Sequence, residues 1–175
     1  STLRCVSEPL ARKYALYAEN DGQNFIMRFK VGENVGEGST SINEDSSVYD
    51  KRKKMVDQML SELGAKVIKE DRLTPYSFRY EMQFNDDLME FSKKIESIES
   101  VEILSIGKSL ELIKDLGDAE AVSTRYGLGD VKGTHAIGHA RMATESGVDI
   151  KSAHPFWGYP CLLYTSPSPR DHEHS

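Results

Sequence analysis

The chain has 175 residues, with 22 Lys+Arg against 28 Asp+Glu, a formal charge of −6 and 38% apolar residues. That length allows one domain, or one domain carrying a small insert. A net acidic chain without a block of like charges is poorly suited to wrapping nucleic acid, and no apolar run approaches the ~20 residues of a membrane span.

Residues 1–20 lack the apolar stretch and cleavage site of a secretory signal, and the two cysteines, Cys5 and Cys161, form no CxxC. A reducing, cytoplasmic setting is therefore expected. Tyr14–Glu19 and Phe25–Val31 flank Asn-Asp-Gly-Gln-Asn, a hairpin signal. Phe25, Met27, Phe29 and Val31 alternate with Ile26, Arg28 and Lys30, giving one buried face and one mixed face. Residues 32–49, rich in Gly, Ser, Asn and Glu, read as a loop.

From Asp50 the period becomes helical. Met55, Val56, Met59, Leu60 and Leu63 form the expected inner stripe, Lys51–Lys54 and Asp57 the solvated face, and Gly64 the stop. A short strand over Ala65–Lys69 precedes a turn at Leu73-Thr74-Pro75. Tyr76, Phe78, Tyr80, Met82 and Phe84 then alternate with polar residues as a half-buried strand. Asn85 is expected to cap a second helix with Leu88, Phe91, Ile95 and Ile98 inside, and Val101–Ile106 reads as a strand. Strand, helix, strand, strand, helix, strand over 25–106 is the split βαβ, ferredoxin-like plan. A helical stretch with Leu110, Ile113 and Leu116 is expected next, then a second amphipathic piece around Ala119–Tyr126.

Gly133–Pro160, GTHAIGHARMATESGVDIKSAHPFWGYP, concentrates the chemistry on a strand followed by a loop. An Arg-x-Ala-Thr at a strand end exposes a guanidinium beside a hydroxyl and free N–H groups, a natural carboxylate clamp. The alternative is that Arg141 pairs with an internal Asp or Glu.

Gly138-His139-Ala140-Arg141-Met142-Ala143-Thr144, followed by Ser152-Ala153-His154-Pro155, resembles the paired motif of class II glutamine amidotransferases, which are N-terminal-nucleophile hydrolases. Met142 and the insert before the Arg motif look more like stand-alone subunits related to glutamate synthase. The resemblance implies hydrolysis of glutamine to glutamate and ammonia by an N-terminal cysteine whose own α-amino group acts as base. An Asn side chain and a Gly N–H would stabilise the oxyanion. It further implies that Arg141 holds the substrate α-carboxylate, with Met142, Ala143, Thr144 and Glu145 lining the pocket and His139 and His154 supporting it. Glu145 departs from the His often found after the Thr. Glutamine and an ammonia-accepting synthase subunit or domain are the implied partners, with no cofactor, metal, nucleic acid or membrane.

On this reading the α+β chain is divided into residues 1–24 and 107–160, both incomplete parts of an amidotransferase domain, around a ferredoxin-like insert over 25–106. Cys161–Asp171 (CLLYTSPSPRD) back-translates to a string resembling a transposase-type sequencing adapter, so 161–175 is expected to be a non-native tail. The chain is then expected to be a fragment lacking its nucleophile, hence inactive, because Cys5 in LRCVSEP does not match the family's start.

The remaining signals are weaker. His135 and His139 have a helical metal spacing, but on a strand they would stand ~13 Å apart. Gly127–Gly133 is one residue too long for a dinucleotide fingerprint. The row Tyr76, Phe78, Tyr80 and Phe84 is either core or an RNA stacking platform. The competing reading of the whole chain is therefore a small-ligand or RNA-binding regulatory module, and a third is an insert that docks subunits.

Overall fold

The computed structural model describes residues 24–32, 46–107, 111–133, 136, 138, 156–157 and 163–164. The 14–24 half of the expected hairpin lies outside these except for its last residue. Four strands, β1 (Phe25–Val31), β2 (Lys66–Arg72), β3 (Ser77–Gln83) and β4 (Val101–Gly107), and two helices, α1 (Ser46–Glu62) and α2 (Leu88–Glu96), follow in the expected order. The strands form one antiparallel sheet in the order β2-β3-β1-β4. A third helix, α3 (Ala119–Tyr126), comes later, and Phe156–Trp157 pairs antiparallel with Leu163–Tyr164, of which only the second strand falls in the stretch set aside as a tail.

Alternation places the aromatics of β1 and β3 on one face. Phe29 and Phe78, opposite one another in the register, stack at 5.3 Å, and Tyr80 meets Phe29 edge-on at 5.0 Å. The two helices cover this face with Tyr49, Val56 and Leu60 from α1 and Leu88, Phe91 and Ile95 from α2. Burying such aromatic area is the main source of the sheet's stability.

Several local expectations change. Helix α1 begins at Ser46, before Asp50, which brings Tyr49 inside. Met55 is exposed, because the inward stripe runs through Tyr49, Val56 and Leu60. Lys53 is not on a solvated face: its Nζ contacts Asp57 at 2.8 Å and Glu70 of β2 at 2.9 Å, tying α1 to the sheet edge. The cap of α2 is Asp87, whose Oδ1 accepts the Glu90 N–H, rather than Asn85. The strand expected over Ala65–Lys69 runs on to Arg72, with Ile68 as the extra residue at a register shift against β3.

The largest correction concerns 111–116. These residues form no helix; they cross the other face of the sheet as an extended strap whose alternate residues Leu112, Lys114 and Leu116 are buried. Of the spacing that suggests a helix, Leu116 joins the buried row but Ile113 falls out of phase with it, because burial here repeats every second residue against a sheet face.

Candidate functional site

Arg141, Met142, Ala143, Thr144, Glu145, His139 and His154 lie outside the described residues, as does His135. Within the run expected to begin as a strand, Ala136 and Gly138 are described; both are exposed and neither is in a strand, which would require a paired neighbour. A Cβ at Gly138 would meet no atom within 4 Å.

What the structure does assemble is a polar network on the sheet face away from α1 and α2. Arg28 of β1 and Arg79 of β3 stand directly opposite in the register. Like charges so placed repel, and a shared anion is needed between them. Glu111 of the strap supplies it: Oε2 accepts from Arg28 Nε at 2.6 Å and Arg79 Nε at 2.9 Å, and Oε1 accepts from Arg79 Nη2 at 3.1 Å. Burial pushes the Glu111 carboxyl up, but the two guanidiniums outweigh it and hold it below the ordinary value. Further along, Glu102 of β4 meets Lys30 at 2.9 Å and Lys114 at 3.3 Å, and these cations likewise hold its carboxyl down against the opposing effect of burial. Ser105 Oγ accepts the Leu112 N–H at 3.0 Å.

Near its end the strap carries Asp115, whose side chain is 0% exposed. It accepts from Tyr76 Oη at 2.9 Å, Tyr126 Oη at 3.0 Å, Arg125 Nη1 at 2.8 Å and the Leu116 N–H at 2.7 Å. Burial first, and the Asp115 charge second, push both phenols well above their ordinary value, so they stay protonated donors. Helix α3 then starts at Asp118, whose carboxylate accepts the Ala121 N–H, and stops at Gly127 in the left-handed region.

Chemically, the carboxylates of this network face cations or phenols. Among the described residues, no group of three or more His, Cys, Asp or Glu side chains could hold a metal ion, and no helix is long and apolar enough to cross a membrane. The stacking platform is overturned in its centre: Phe78 and Tyr80 are 0% exposed beneath the helices. Sequence reasoning missed the network because its partners are far apart in the chain; its one local signal was the pair of cations, Arg28 and Lys30, alternating with core aromatics.

No family model matches the chain. It is similar to a protein of Methanothermobacter thermautotrophicus named "Putative glutamine amidotransferase", 42% identical over 84 residues, covering 48% of this chain and 28% of the relative. It is also similar to the "Glutamine amidotransferase-like protein GlxB" of Rhizobium meliloti, 45% identical over 56 residues, covering 32% of this chain and 19% of the relative. The chain thus spans less than a third of either relative's length. Both relatives carry the glutamine amidotransferase name.

Proposed function

We propose that the chain is part of a class II, N-terminal-nucleophile glutamine amidotransferase related to glutamate synthase, with the four-stranded ferredoxin-like unit set into that domain. The observation that carries the reading is the motif pair Gly138–Thr144 and Ser152–Pro155. The similarity to two proteins bearing the glutamine amidotransferase name supports it.

In the proposed reaction a cysteine thiolate attacks the side-chain amide carbon of glutamine, and the cysteine's own α-amino group takes and returns the proton. The C–N bond breaks, ammonia leaves, and water then cleaves the thioester to give glutamate and regenerate the thiol. The ammonia passes to an acceptor on a synthase partner. Arg141 grips the substrate α-carboxylate through two parallel N–H donors, with Met142, Ala143, Thr144 and Glu145 around it and His139 and His154 supporting the loop.

The complete reading frame tests this directly, because the reading requires Met-Cys-Gly ahead of the first hairpin and an Asn-Gly pair after Pro160. In the complete protein, Arg141→Ala raises the KM for glutamine about 30-fold or more, the equivalent of ~2 kcal/mol for a lost charge-assisted pair. Lys51→Ala, on an exposed turn of α1, leaves it unchanged. Equal KM values for the two variants would refute the clamp. Absence of both sequence features would instead leave the small-ligand regulatory reading.

A further inference from the structure

The strap lies on the sheet without joining it. Among the described residues, no backbone–backbone hydrogen bond ties 111–116 to β1, β3 or β4; the Leu112 N–H goes to the Ser105 hydroxyl and the Leu116 N–H to the side chain of Asp115. Its attachment to the sheet is therefore made by side chains, and a segment held this way can leave without unpairing a strand.

The ties between the strap and α3 are of a different kind. Arg125 Nη1 donates both to Asp115 and to the Leu116 carbonyl, at 2.8 and 3.1 Å, and Tyr126 donates to the same carboxylate. Three donors around Asp115 thus belong to the strap and α3 themselves. The sheet contributes Tyr76, from the turn between β2 and β3, with Ser77 beside Tyr126. Strap and helix are cross-linked into one piece that meets the strands through polar side-chain contacts and the buried side chains of Leu112 and Leu116, the latter at the margin of the hydrophobic core. At the far end of that contact, Arg28 Nη1 is buried with no hydrogen-bond partner among the described residues, a cost that water would relieve on opening.

We propose that residues 111–126 form a latch that detaches from the sheet as a unit while the four strands stay paired, with Asp115 as its pin. The latch stands on the geometry alone. Its consequence for catalysis rests on the proposed function: the chain leaves α3 at Gly127 and reaches Gly133 within a few residues, so a closed latch fixes where the run bearing Arg141 begins.

Native-state hydrogen exchange on the full 175-residue chain, read by peptide mass spectrometry, tests the latch without reference to glutamine. In the unmodified protein, amides of 119–126 exchange at least tenfold faster than those of β1 and β3. Tyr76→Phe keeps the ring but removes the hydroxyl tie to the sheet; it speeds exchange over 112–126 at least threefold and leaves β1 and β3 within twofold. Asp115→Asn gives a larger rise over the same residues. Strands and α3 speeding up in parallel in either variant would overturn the latch. So would equal protection of α3 and β3 in the unmodified chain, or no change over 112–126 in Tyr76→Phe.

Discussion

Replacing Glu111 with Gln removes the charge that two register-opposed arginines share while keeping the shape of the side chain. The Glu111 side chain is 23% exposed, Arg79 20% and Arg28 5%, so Arg28 cannot turn to water for a substitute acceptor. Three charge-assisted hydrogen bonds are at stake, and the glutamine carbonyl can keep only part of them. Breaking a fully buried pair from one side costs about 3–5 kcal/mol; partial exposure of Glu111 and Arg79 brings the expected loss to about 2–3 kcal/mol at pH 7. The latch sets the ceiling: beyond its own opening free energy, the strap detaches and the strands remain paired. Urea unfolding followed by far-UV circular dichroism measures the loss. Acid then supplies an internal control. The carboxyl of Glu111 is held below its ordinary value of 4.5, so its stabilisation is complete above that value and disappears as the pH falls through the depressed folded value. The gap between the wild-type and Glu111→Gln proteins should therefore close as pH drops below 4.5. A variant within 0.5 kcal/mol of wild type at pH 7, where ordinary surface changes fall, or a gap that persists undiminished through acid, would refute the reasoning.

Two further substitutions test local readings. Gly127 sits at φ 60° and ψ 39°, and a Cβ there would meet no atom within 4 Å, so Gly127→Ala isolates the conformational cost of the left-handed region. The expected loss is about 1 kcal/mol, seen as faster exchange of α3 amides, and an unchanged rate would contradict it. Lys53 has a side chain 19% exposed, ion pairs on two elements and a position 5.6 Å over the Tyr80 ring. Burial tends to lower its pKa, but Asp57 and Glu70 outweigh this and hold it raised. Lys53→Ala should lower stability by about 1 kcal/mol, whereas Lys51→Ala stays within ~0.5 kcal/mol; matching urea midpoints would show that the bridge carries nothing.

Much of the four-stranded unit was legible in the residues. The alternation in β1 and β3 and the inner stripe of α2 are local patterns, because a strand or helix that buries one face must repeat its apolar residues at its own period. Gly64 and Gly127 stop α1 and α3 for an equally local reason: each takes a positive φ that other residues resist. The mistakes also have local causes. Asn85 and Asp87 are both good caps, and only the winding of the chain decides which carboxylate or amide reaches a free N–H. Met55 and Tyr49 exchange places once the helix begins at Ser46.

The amino-acid sequence by itself determined the periods of β1, β3 and α2 and the motif on which the proposed chemistry rests. Only the tertiary structure decided what the second face of the sheet is for. Arg28 and Glu111 are 83 residues apart, and Arg79 comes to face Arg28 through the antiparallel register of β1 and β3. A charged residue has no periodic signature that names its partner, because Coulombic attraction depends on distance in space and on the water excluded between the groups. The strap is extended for the same reason. Leu112 and Leu116 turn inward against a sheet face that was built elsewhere in the chain.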